Sequence, residues 1–147
     1  MNATTFSVTA LGGVPAVRPG DDLAQVALAA MAASGLSFAD GDVLVCAQKV
    51  VSKAEGRQVA LASVTPSPRA GELAAATGKD ARLVELILSE AAEVMRVRQN
   101  LIIVRHKLGL VLANAGIDQS NVGAGEGYGD GPQALLLPVD PDASAAA

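Results

Sequence analysis

The chain has no tryptophan, one tyrosine and two phenylalanines in 147 residues. A core must therefore be built from Val, Leu, Ile and Ala, and there is no aromatic platform on which nucleic-acid bases could stack. One cysteine, Cys46, rules out a disulfide within the chain. One histidine, His106, leaves zinc hydrolase chemistry without its ligands. No apolar run approaches the roughly 20 residues of a membrane span. The start, MNATTFSVTA, lacks the basic and apolar regions of a signal peptide, so the expectation is a cytoplasmic protein. Asp and Glu number 15 against 11 Lys and Arg, a net charge of −4. Such a surface offers no general attraction to nucleic acid or to an anionic membrane. Neither the P-loop pattern G-x-x-x-x-G-K-[ST] nor a G-x-S-x-G nucleophile elbow occurs.

What is present is enough apolar residue to fold: hydrophobic residues make up 50% and the charged ones 18%. Residues 6–11 (FSVTAL) alternate weakly and predict a strand. Pro15, Pro19 and Gly20 force a loop after it. Asp21 and Asp22 offer an N-cap to a helix carrying Leu23, Val26, Ala27, Ala30 and Met31 on one face, with Gly35 as its stop. Residues 42–51 (DVLVCAQKVV) predict a strand buried on both faces, with Cys46 as a small buried hydrophobe.

Ser67 and Pro68 open a second helix that ends at Thr77 and Gly78. Asp80 caps a third, in which Leu83, Leu86, Ile87, Ala91 and Val94 share a face and Glu90 falls among them. Residues 101–105 and 110–113 predict a hairpin, with His106 as an exposed turn residue and Gly109 near the bend. Residues 134–137 (ALLL) read as a short strand. Asp142 or Ser144 could cap a helix with almost no chain behind it, which suggests a chain cut short. The expected organisation is a core at 1–122, a flexible glycine-rich loop at 123–133, and a strand with a helix start at 134–147.

Two stretches could carry chemistry. SKAEGR, residues 52–57, follows the apolar run of 42–51. Lys53 could present a point charge and Arg57 a planar fork to a phosphate, while Ser52 and Ala54 would keep the site open. An ordinary solvated Lys–Glu pair is the plainer alternative. NAGIDQSN, residues 114–121, sets one carboxylate and several amides among small residues. Asp118 offers hard oxygens suited to Mg²⁺ or Mn²⁺, and Asn121 could hydrogen-bond a base or ribose. A locally satisfied Asx turn is the alternative there.

In this order, GDVLVCAQKVVSKAEGR, NAGIDQSN and LLLPVDPDAS, with VPAVRPGDDLA near the start, resemble the coenzyme F-420-0:L-glutamate ligases, the gamma-glutamyl ligase family. The resemblance implies an α+β fold with a mixed or antiparallel sheet, flanking helices and an interleaved homodimer. It implies a GTP-dependent ligase that joins L-glutamate to coenzyme F-420-0 by a gamma-type amide through an acyl phosphate, in deazaflavin coenzyme biosynthesis. Mg²⁺ or Mn²⁺ and K⁺ are the implied ions. The resemblance places Val14, Pro15, Ala16 and Val17 along the nucleotide, with Ala47, Gln48 and Asn121 as further contacts. It makes Lys53 the phosphate-facing lysine and Asp118 a metal ligand, the two catalytic candidates. The family's second acidic motif, Asp-Thr-x-Gly-Arg, is absent from this sequence. The alternative function is therefore a catalytically incomplete, nucleotide-binding part of such an enzyme.

Overall fold

Asp22 accepts a hydrogen bond from the Gln25 backbone N–H at 3.0 Å and so starts helix α1 (Leu23–Ala33), as its sequence predicts. The structure, a computed structural model, describes residues 5–120 and 131–146. After α1 come α2 (Gln48–Ala54), β1 (Gln58–Ala60), α3 (Pro68–Thr77), α4 (Ala81–Glu90), β2 (Ala91–Arg98), β3 (Leu101–His106), β4 (Val111–Ala113), β5 (Gln133–Leu135) and α5 (Pro141–Ala146). Single 3-10 turns occupy Leu61–Ser63 and Asn114–Gly116. The fold is α+β, with two small antiparallel sheets in the orders β2-β3-β4 and β1-β5.

The core lies where α3 and α4 pack on the three-stranded sheet. Val84, Ile87, Ile102 and Val104 are fully buried there. Burying a side chain of this size contributes about 1.5–3 kcal/mol. Ser67 caps α3 through Ala70 N–H, and Gly78 ends it at φ 72°. Asp80 caps α4, accepting from the Arg82 N–H.

Several expectations from sequence are corrected. The helix begun at Asp80 ends at Glu90, and Ala91 and Val94 lie on β2. The reason is pairing: β2 meets β3 from Ala91↔His106 to Arg98↔Leu101, leaving Gln99 and Asn100 as a two-residue loop with Asn100 at φ 60°. An asparagine tolerates that left-handed conformation. His106 is 3% exposed on β3 rather than a turn residue. Asp140, not Asp142 or Ser144, caps α5 through the Ala143 N–H at 3.0 Å.

The largest corrections concern the two strands expected at 6–11 and 42–51. Residues 6–11 and 42–47 have no regular structure, and nearly all of them are exposed, Cys46 included. Residues 48–54 are helix. Neither segment has a ladder partner among the described residues, so strand composition by itself produces no strand.

Gly116 is required where it stands. Its φ is 68°, and an added Cβ would lie 3.0–3.2 Å from three atoms of the Leu137 side chain. Gly116→Ala is expected to cost about 1–3 kcal/mol, from left-handed strain plus this clash. Urea unfolding midpoints measure it, and an unchanged midpoint would refute the assignment.

Candidate functional site

Asp118 is fixed from both sides. Its backbone N–H donates to Leu135 O at 3.0 Å and its carbonyl accepts from Leu135 N–H at 2.8 Å. Immediately before it, Asn114, Ala115 and Gly116 have φ of 51°, 55° and 68°. Left-handed backbone in two successive non-glycine residues is strained. Here it is held by the burial of Ala115 and by the Ile102 N–H donating to Asn114 Oδ1 at 3.3 Å. This turn aims the Asp118 carboxylate at α2.

There it meets Lys49. Lys49 Nζ lies 2.6 Å from Asp118 Oδ2, 3.0 Å from Ser120 O and 3.1 Å from Ser120 Oγ. Asp118 Oδ1 also accepts from Ser120 N–H at 2.6 Å. The Lys49 ammonium, with help from Ser120, lowers the Asp118 pKa from 3.8 to about 2. Three oxygens thus already converge on one cation, the ammonium of the chain itself.

The depressed carboxyl sets a pH dependence. A group with a lowered folded-state pKa stabilises the fold above its ordinary value and loses that contribution as pH falls. The Asp118 contribution should therefore fade between about pH 4 and pH 2. Both side chains are about one-third exposed, so solvent screening limits the pair to about 1 kcal/mol or less. Lys49→Met is expected to flatten the stability–pH curve in that window and nowhere else. Denaturant titrations at stepped pH check it; identical curves would contradict it.

Each sequence-derived candidate has a definite place. Lys53 is half-buried in the last turn of α2, one turn beyond Lys49. Residues four apart share a helix face. Lys53 has no side-chain partner among the described residues. Gln48 donates from Nε2 to Ser52 Oγ at 2.6 Å. Ser52 is fully buried, so it does not keep the site open as expected. Ala47 is the residue before α2 and gives it no side-chain cap. Pro15 and Ala16 are exposed, and Val17 is half-buried. Val14 and Ala47 line one cavity together; Gln48, Lys53 and Asp118 do not line it. The loop is tied to α2 by Gly20 N–H donating to Ala54 O at 2.8 Å. Asn121 lies outside the described residues, as does most of the glycine-rich stretch 123–133.

The Arg57 guanidinium, expected as a fork for phosphate, is engaged within the chain. Its Nη2 is 2.6 Å from Glu90 Oε2, and its Nε donates to Leu137 O at 2.8 Å. Glu55 likewise turns away from Lys53. It accepts from Val139 N–H at 2.9 Å and from Ser144 Oγ at 2.6 Å. SKAEGR therefore combines one available lysine with two residues that anchor the chain following β5.

Sequence reasoning missed Lys49 and Ser120. The available signal was a charged residue inside a run expected to be buried on both faces, which a strand core does not accommodate without a partner. Among the described residues, no cluster of three or more His, Cys, Asp and Glu side chains could hold a metal ion. Asp118 with Ser120 supplies hard oxygens but only one carboxylate. That suits Mg²⁺ shared with substrate phosphates and water better than an all-protein cage.

The comparisons with known proteins agree on one family. Residues 13–147 match the model of the family described as F420-0:Gamma-glutamyl ligase. A protein of Methanothermobacter thermautotrophicus named Coenzyme F420:L-glutamate ligase is 44% identical over 140 residues, 95% of this chain and 53% of the relative. The Methanopyrus kandleri protein of the same name is 48% identical over 129 residues, 88% of this chain and 46% of its own length. One from Archaeoglobus fulgidus is 44% identical over 133 residues, 90% of this chain and 48% of the relative. The chain spans about half the length of the curated relatives it matches. No helix among the described residues is long and apolar enough to cross a membrane.

Proposed function

The chain belongs to the F420-0:Gamma-glutamyl ligase family, and on that premise we propose that it holds the metal-chelated triphosphate of GTP in a reaction that joins L-glutamate to coenzyme F-420-0. The observation that carries the reading is the Lys49 ammonium seated among Asp118 Oδ2, Ser120 O and Ser120 Oγ at 2.6–3.1 Å. A seat that binds an ammonium through three oxygens is chemically fit for a hard cation.

In this reading Asp118 and Ser120 are the protein ligands of Mg²⁺ or Mn²⁺. The ion would neutralise charge on the transferring phosphoryl group. Lys49 would have to leave the seat for such an ion to be held there. With Lys53 on the same helix face, it then supplies positive charge to the phosphate oxygens. Positioning plus charge neutralisation is most of what phosphoryl transfer asks of a protein. The loop of Val14, Pro15, Ala16 and Val17, together with Ala47, Gln48 and Asn121, contacts the nucleoside. K⁺ is the proposed monovalent ion, and the enzyme is proposed to work as a homodimer.

The proposed chemistry balances in two steps. The precursor carboxylate takes the γ-phosphoryl group of GTP, releasing GDP and leaving an acyl phosphate. The amino group of glutamate then attacks the acyl carbon, expels phosphate, loses a proton and forms the amide.

The experiment is ligand-dependent stability. A ligand that binds only the native state raises the melting midpoint by mass action. Saturating GTP with Mn²⁺ is expected to raise the midpoint of the purified chain by several degrees, about 2.7 kcal/mol at a hundredfold excess over Kd. No shift at millimolar GTP and Mn²⁺ would remove the nucleotide reading.

A second reading has its own support. With one carboxylate at the site and about half of the relatives' length spanned, the chain in this reading serves as the nucleotide-binding part of a larger catalytic unit. GTP binding without glutamate-dependent GTP hydrolysis would favour it; turnover by the chain alone would overturn it.

A further inference from the structure

The last residue of α2 and the turn after it, residues 54–57, reach three separate pieces of the candidate site. Ala54 O accepts from Gly20 N–H at 2.8 Å, and a Cβ added to Gly56 would lie 3.5 Å from Pro19 Cβ, so the loop that follows residues 14–17 is fastened here. Toward the helix, Gly56 N–H donates to Lys53 O at 3.0 Å and Arg57 N–H to Ser52 O at 2.9 Å, with Gly56 left-handed at φ 66°. These bonds close the helix that carries Lys49 and Lys53. Toward the chain after β5, Leu136 N–H donates to Arg57 O at 3.1 Å and Arg57 Nε donates to Leu137 O at 2.8 Å. Glu55 Oε2 accepts from Val139 N–H at 2.9 Å.

Residues 135–139 carry that hold on to Asp118. Leu135 pairs with Gln58 of β1 on one side and exchanges backbone bonds with Asp118 on the other, at 2.8 and 3.0 Å. The Leu137 side chain lies over Gly116, 3.0–3.2 Å from where a Cβ would stand, and so braces the left-handed turn just before Asp118. Leu135 and Leu136 are buried, so their backbone groups depend on these partners. The helix with the lysines and the turn with the carboxylate are thus joined through one buried stretch of backbone. The Lys49–Asp118 pair spans the same gap, but its side chains are about one-third exposed, and a pair of that kind contributes too little to set the spacing.

We infer that Arg57 and Glu55 are positioning residues of the candidate site: by holding residues 137–139 against the end of α2, they set the distance between the lysines of that helix and Asp118. What the site binds rests on the nucleotide reading; the positioning rests on the hydrogen bonds alone. The order of SKAEGR follows from it. Lys53 shares a helix face with Lys49, Gly56 makes the left-handed turn, and Glu55 and Arg57 on either side of that turn reach the chain after β5. Arginine suits its place for a geometric reason. One guanidinium donates from Nη2 to Glu90 Oε2 at 2.6 Å and from Nε to Leu137 O at 2.8 Å. A lysine, with a single terminal nitrogen, cannot span both in that way.

The test compares the parent chain with Arg57→Lys, Glu55→Ala and Glu55→Gln, and with Leu73→Ala as a control that weakens the core on α3. Arg57→Lys keeps a charge for Glu90 and gives up Leu137 O. Glu55 is exposed, so its variants should fold as the parent does. Amide exchange at Leu135 and Asp118 is expected to quicken at least about tenfold in Arg57→Lys and Glu55→Ala. It should stay near the parent's in Glu55→Gln, whose amide oxygen still accepts from Val139 N–H. The rise in melting midpoint produced by GTP with Mn²⁺ should shrink by about half or more in Arg57→Lys and Glu55→Ala and return in Glu55→Gln. Leu73→Ala should lower the starting midpoint and keep the rise, which separates positioning from a general loss of stability. Parental exchange at both amides in Arg57→Lys and Glu55→Ala, no recovery in Glu55→Gln, or a ligand-induced rise unchanged in all variants would each overturn the proposal. A parent chain with no GTP-induced rise removes the nucleotide reading instead, and the exchange rates, which need no ligand, then decide the positioning.

Discussion

Asp118→Asn is expected to remove the Mn²⁺-dependent part of the GTP-induced rise in melting midpoint, while leaving the fold intact. The substitution keeps one oxygen that can accept from Ser120 N–H and loses the charge that draws a cation. Backbone bonding to Leu135, which holds the segment, does not involve the side chain. The expected loss in metal affinity is at least about a hundredfold, since this is the single carboxylate at the seat. Metal-dependent stabilisation equal to that of the parent would place the ion elsewhere. Lys49→Met makes the complementary case. With its ammonium gone, Mn²⁺ no longer competes for the seat, so binding of the ion without nucleotide should tighten while GTP binding weakens. Opposite signs for two probes in one variant would be hard to obtain from a general loss of stability.

The second large effect concerns stability. Glu90 and Arg57 are mostly buried, with side-chain exposures of 14% and 23% and oxygen and nitrogen 2.6 Å apart. His106 stands beside them: its Nδ1 accepts from the Leu108 N–H at 3.0 Å, and its Nε2 is 3.5 Å from Glu90 Oε2. With Nδ1 acting as acceptor, the neutral ring carries its proton on Nε2, facing the carboxylate. Glu90→Ala strands a buried guanidinium and removes the carboxylate beside the His106 Nε2, which itself makes no hydrogen bond among the described residues. The expected cost is about 3–5 kcal/mol, the usual penalty for removing one partner of a buried pair. Arg57→Met should cost a comparable amount, because it leaves the more deeply buried Glu90 carboxylate unpaired and loses the bond to Leu137 O. The double variant should be less destabilised than the sum of the single ones. Denaturant unfolding of all three checks the cycle. Strict additivity would show that the pair is not coupled. Because Arg57 also holds the Leu137 carbonyl, loosening it should reach β5 and, through Leu135, the backbone of Asp118.

Local chemistry was legible wherever a residue acts on its neighbours. Asp22, Ser67 and Asp80 were readable as caps because a cap bonds a backbone group two or three residues away. Gly78 ends α3 for an equally local reason. Asp118 stood out as a candidate hard-oxygen ligand within a run of small residues, and the structure places it just after a strained turn. Lys53, in contrast, was readable only as a charge near a strand exit. Which lysine of AQKVVSK meets Asp118 depends on whether the segment is helix or strand and on where α2 lies against the β5 region, which sequence spacing does not contain.

The sequence by itself determined the starts of α1, α3 and α4, the hairpin around Gly109, the aliphatic core and the family. Each of these depends on contacts within a few residues or on an ordered set of motifs. Tertiary structure alone decided the rest. It ended α4 at Glu90 because β3 pairs with β2, buried His106 against Glu90, and turned Arg57 from a phosphate ligand into an anchor. It also left 6–11 and 42–47 without strand partners among the described residues and brought Lys49, rather than Lys53, to Asp118. Those outcomes depend on contacts beyond the reach of one helical turn, from the β2–β3 pairing to Lys49 with Asp118, where pairing, charge burial and register are settled by which surfaces meet.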